Sequence, residues 1–85
     1  MEYLIVSYRS RSHTVKFHEF LNHIGVQNEI INTPKEAGVG CGLSVKVKKS
    51  DFYIVKRAVS HLNLNSFAGF FLSSIKSGKR VIKSI

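Results

Sequence analysis

The hydrophobic period of this chain switches twice from that of a strand to that of a helix and back, and few folds accept that switching in so short a length. Residues 2–8 read EYLIVSY. The β-branched and aromatic content and the continuously apolar middle predict a strand inside a sheet. After a polar break at residues 9–12, Phe17, Phe20, Leu21 and Ile24 recur at i, i+3, i+4 and i+7. That is one stripe of an amphipathic helix over residues 13–24, with Val15 off its centre. Ser10 and Ser12 both suit its N-cap, and Gly25 stands where a helix closes.

Residues 26–32, VQNEIIN, predict a second strand, stopped by Thr33 and Pro34 because proline removes a ladder donor and restricts its predecessor. Leu43, Val45 and Val47 alternate with Ser44 and Lys46, as in a half-buried third strand with a basic outer face. Ser50 as N-cap and Asp51 in the first turn then introduce Phe52, Val55, Val59 and Leu62 at helical spacing, supported by Ala58. This second helix should end near residues 63–65. Residues 66–73, SFAGFFLS, read as a fourth strand, in which Gly69 suggests a bulge or a close backbone approach.

The order strand, helix, strand, strand, helix, strand is that of an α+β, ferredoxin-like βαββαβ fold: an antiparallel sheet with two helices on one face. The chain has 85 residues, one domain's worth. We place the ferredoxin-like domain at residues 1–73. Residues 74–85, SIKSGKRVIKSI, form a basic C-terminal extension, either an extra edge strand beside the fourth or a tail.

Composition narrows the function. Hydrophobic residues make up 44 % of the chain, a globular proportion. A domain this small must use most of its large apolar side chains for packing, which disfavours a large ligand pocket. The single cysteine forms no intrachain disulfide, residues 1–8 carry no basic leader, and no apolar run approaches the ~20 residues of a membrane span. These features predict a cytoplasmic protein with no membrane partner and a free thiol. A net charge of +8 admits anionic partners, nucleic acid among them.

The loop TPKEAGVGCG, residues 33–42, is the least ordinary segment. Gly38, Gly40 and Gly42 remove steric walls around Cys41 and free the backbone to turn amides toward an anion. Thiolate is the reactive form of cysteine, and positive neighbours favour it. Lys35 in the loop and Lys46 on the next strand are candidates for that role. The competing reading is a buried cysteine acting as a small hydrophobe. The G-x-G-x-G spacing is not a dinucleotide fingerprint, and no Gly-Lys-Ser/Thr completes a phosphate loop. Residues 13, 18, 23 and 61 are histidines whose spacing puts no neighbouring pair on one helix face, so neither a metal site nor a cofactor is expected. His13, at a helix start near a strand end, is the first candidate for a Cys–His pair, against a solvated surface histidine. The third strand, LSVKV, lacks the aromatic pattern of RNA-reading sheets.

Thr33-Pro34-Lys35 closing one strand and Cys41-Gly42-Leu43 opening the next, after a serine-led helix ending in Gly-Val, resemble the selenium/sulfur carrier protein-like family of small bacterial domains. The resemblance covers residues 2 to about 65. It implies a ferredoxin-like fold and a persulfide or perselenide carried on Cys41. It also implies that Thr33, Pro34, Gly40 and Gly42 shape the loop and that Lys35 supplies a basic residue. The expected function is therefore a carrier, not an enzyme, with a protein donor and a protein acceptor of sulfur or selenium. The alternative is a basic nucleic-acid-binding or protein-interaction module, including a homodimer formed through a sheet edge, with no cysteine chemistry.

Overall fold

In the computed structural model, residues 2–38 and 42–85 are described. The elements run β1 (Tyr3–Tyr8), α1 (Arg11–His23), β2 (Asn28–Asn32), β3 (Leu43–Lys48), α2 (Phe52–Leu62), β4 (Phe67–Lys76) and β5 (Lys79–Ser84). The sheet order is β2-β3-β1-β4-β5, and every neighbouring pair is antiparallel. The first four strands and two helices are compatible in order with the ferredoxin-like arrangement. β4 continues past Ser73 to Lys76 and turns at Ser77-Gly78 into β5, which pairs with it at the sheet edge.

The helix stripe is shifted from its expected centre. Thr14, Phe17 and Leu21 are the buried residues of α1, whereas Ile24 is 43 % exposed at the C-cap. The reason lies in how the helix closes. The Gly25 amide donates to Asn22 O and the Val26 amide to Leu21 O, the paired bonds of a Schellman ending. Val26 is thereby tied to the helix end, and β2 begins at Asn28, two residues later than the sequence pattern suggests. At the other end of α1, Ser10 is the N-cap and its hydroxyl accepts from the His13 amide at 3.3 Å. The expected cap of α2 is corrected: Ser50 lies in a 3₁₀ turn, Lys49–Asp51, and Asp51 occupies the N-cap without a side-chain hydrogen bond.

Leu4, Val6 and Tyr8 of β1, Val45 and Val47 of β3, Phe17 and Leu21 of α1, and Val55 and Ala58 of α2 form one buried cluster. Both helices therefore lie on the face of the sheet that carries the even-numbered residues of β1. Each of the large side chains contributes about 1.5–3 kcal/mol on burial. In β4, Gly69 pairs with Ser7 while Phe67 pairs with Tyr8, so Ala68 is the extra residue of a bulge. Gly69 sits at φ +142°, in the region that favours glycine.

Candidate functional site

The middle of the sheet's second face is as buried as the core. Ile5 and Ser7 of β1, Ser44 of β3, and Phe71 and Ser73 of β4 are at most 6 % exposed, although both helices pack on the opposite side. What reaches this face is the β2–β3 connection. The Thr33 hydroxyl lies 2.6 Å from that of Ser44, and the Ser44 hydroxyl lies 2.8 Å from that of Ser7. The three hydroxyls form a chain running inward from the start of the loop. Pro34, extended at φ −60° and ψ 140°, is buried, and the 3₁₀ turn Lys35–Ala37 that follows packs against β5. β2 and β5 are opposite edges of the sheet. The first half of the loop thus crosses from one side of the sheet toward the other, on the face opposite the helices.

The loop is closed at its base. The Thr33 amide donates to Gly42 O at 2.8 Å. Gly42 takes φ +96°, which an L side chain adopts only with strain, although a Cβ there would meet no atom within 4 Å. Its glycine is therefore a matter of backbone conformation and not of crowding. On the far side, the Arg80 guanidinium on β5 reaches both carboxylate oxygens of Glu36, at 3.4 and 3.5 Å. The Glu36 carboxyl is held below its ordinary range, first by a hydrogen bond to its own backbone, against the opposing effect of desolvation, and to a lesser extent by Arg80 and Lys35.

Of the residues expected to make the site, Thr33, Pro34, Lys35 and Gly42 are brought together at this loop. Cys41 and Gly40 lie outside the described residues. Lys46 lies at the other end of β3, its ammonium 3.7 Å from Glu29 and 4.5 Å above the Tyr3 ring. His13 Nδ1 is 2.6 Å from the Ser66 hydroxyl, joining the start of α1 to the approach to β4. Ser7, Ser44 and the pairing of Glu36 with Arg80 were missed by the sequence reading. Ser44 alternates with apolar neighbours exactly as a solvent-facing residue would, and only the overlying loop makes its position an interior one. The signal available was a hydroxyl on each of two strands that share a sheet.

The basic residues are divided. Lys46, Lys48 and Arg80 alternate onto the loop side of the sheet, while Lys76 and Lys79 pair with each other on the helix side. Two of the first three already contact a carboxylate. Among the described residues, no three His, Cys, Asp or Glu side chains gather as metal ligands, and no helix is long and apolar enough to cross a membrane.

Two helices on one side of a five-stranded antiparallel sheet define a small α+β domain. Residues 2–66 match the model of the family described as "putative Se/S carrier protein-like", and the chain belongs to that family. The match ends just before β4. No curated protein and no solved structure matches the chain.

Proposed function

We propose that the protein carries a sulfur or selenium atom on Cys41, receiving it from one protein and passing it to another. The family membership of residues 2–66 carries this reading. The closed loop base supports it, because Gly42, next to Cys41 in the sequence, is fixed through its carbonyl by the Thr33 amide. In the loading step the Cys41 thiolate attacks the outer sulfur of a donor persulfide. The donor S–S bond breaks, its electron pair leaves with the donor thiolate, and a Cys41 persulfide forms with the terminal proton retained. Attack on that outer atom by an acceptor thiolate reverses the sequence and restores Cys41. No oxidant or reductant enters, and the perselenide version balances in the same way. Thr33, Pro34, Gly40 and Gly42 set the course of the loop, and Lys35 supplies positive charge that favours the thiolate. The protein turns over nothing by itself, and a reducing cytoplasm keeps its thiol available between transfers.

The test is direct loading. Incubation with a low-molecular-weight persulfide, followed by intact-mass measurement, is expected to add one sulfur atom that a thiol acceptor then removes. Cys41→Ser should gain none. Equal uptake by the two proteins, or uptake that no acceptor can discharge, would remove Cys41 as the carrier.

A further inference from the structure

We propose that the groove between α1 and α2 is a docking site for an acidic amphipathic helix of a partner protein. The apolar stripe of that helix lies in the groove, and its carboxylates meet Lys56 and Arg57. Cys41 has no part in the contact, so the proposal stands or falls separately from sulfur loading.

The groove lies on the outer surface of the helix layer. Phe20 and the C-cap residue Ile24 line it from α1, at i and i+4, and Ile54, Arg57, Ala58 and His61 line it from α2, at i, i+3, i+4 and i+7. Such spacing makes a trough that follows the helices for two turns, about 10 Å at ~1.5 Å per residue. It encloses about 280 Å³. A second hollow of about 410 Å³ opens beside it at Tyr53 and Lys56 and shares Arg57 and His61. His61 stacks on Phe20 with ring centroids 5.5 Å apart.

The surface is apolar where solvent reaches it. Tyr53 is 71 % exposed, Ile54 48 % and Ile24 43 %. α2 already buries Val55 and Ala58 against the sheet, so Tyr53 and Ile54 give it a second apolar side with nothing over it. A cluster of this kind on a small domain marks a contact surface. The Arg57 guanidinium lies 6.0 Å from the centre of the Tyr53 ring, and tyrosine and arginine are the residue types that dominate binding energy at protein interfaces.

Charge selects the occupant. From Phe52 to Leu62, α2 holds Lys56 and Arg57 and no carboxylate. Among the described residues, neither cation forms an ion pair. A helix whose apolar stripe is flanked by Asp or Glu supplies that charge and seats its ridge of side chains in the trough. A second copy of this chain would bring the same two cations to the contact. A bilayer surface is flat and would leave the trough unfilled.

The experiment titrates the folded full chain against a fluorescent peptide of about four helical turns, with leucines along one side and glutamates on the others, and reads anisotropy. Wild type should bind it. Tyr53→Ala and Arg57→Glu should each weaken binding about tenfold, whereas Lys83→Glu, the same change of net charge on β5, should alter it less than about twofold. Replacing the peptide's glutamates by glutamines should abolish binding. Tyr53 and Arg57 are exposed, so both variants should keep the wild-type circular dichroism; Arg57→Gln repeats the comparison if the charge reversal disturbs the fold. Absence of binding to wild type overturns the proposal, as does an equal loss in Lys83→Glu, which would make net charge the whole cause. Self-association abolished by Tyr53→Ala would replace the partner by a second copy. Binding to phosphatidylglycerol vesicles that Tyr53→Ala and Arg57→Glu abolish, with the peptide left unbound, would replace it by a membrane.

Discussion

Tyr8 carries the one buried side-chain polar atom among the described residues that has no hydrogen-bond partner. Its ring packs between Phe17 and Phe67, with His13 edge-on at 6.4 Å. The aromatic surroundings suit the ring, and the hydroxyl is a cost of placing a tyrosine there. Burial pushes its pKa up to about 12 from 10.0. Below pH 10 the folded and unfolded chains both keep the proton, so the group has no pH effect. As pH rises from 10 toward 12 the unfolded chain releases it first, and stability falls. Tyr8→Phe should remove that component of alkaline destabilisation. It should also raise stability at neutral pH by about 1 kcal/mol, since no partner is orphaned and one desolvated hydroxyl is gone. Urea unfolding of the two proteins across that pH window checks both outcomes, and a Tyr8→Phe protein less stable at neutral pH would mean the hydroxyl is satisfied in solution.

The register of α1 gives the sharpest test of an element. Phe17 is wholly buried against β1, whereas Ile24 has passed beyond the packed stripe. Phe17→Ala should cost about 3–5 kcal/mol and Ile24→Ala under about 0.5 kcal/mol, measured by chemical denaturation. Similar losses at the two positions would restore the stripe that spacing alone suggests. The contrast marks where sequence was sufficient. Phe17, Leu21, Val55 and Ala58 were legible because helical spacing records which face turns inward. The bulge beside Gly69 was one of two readings its glycine offered, the other being a close backbone approach. Ile24 was misjudged because periodicity does not say where a helix stops, and the Schellman ending depends on backbone bonds that side-chain pattern does not encode. The second buried face was invisible for a related reason. Ser7 and Ser44 look like surface residues on a two-layer fold, and nothing local reports that a loop will cover them. The loop itself was found from composition, through Pro34 and its glycines, yet its path to Arg80 is a long-range fact, joining residues far apart in the chain.

At the scale of the whole molecule, the net charge of +8 sets the balance. Three ion pairs are present among the described residues, joining Lys46 to Glu29, Lys49 to Glu2, and Arg80 to Glu36. They use three of the five acidic residues and leave most of the thirteen Lys and Arg residues to repel one another. Moderate salt should therefore raise the melting temperature, because screening the excess of like charge outweighs the loss from exposed pairs of small individual worth. Calorimetry over a salt series checks it; a falling melting temperature would show that the pairs dominate. The closed base of the β2–β3 connection has a consequence of another kind. The Thr33 amide and the Gly42 carbonyl already hold its two ends at bonding distance, so the sheet registers only a hairpin there, whatever lies between. Such a segment can be lengthened or shortened beyond its 3₁₀ turn without resetting either strand, while Thr33 and Pro34 keep their places on the sheet. The chemistry of the loop and the architecture that bears it are free to change at different rates.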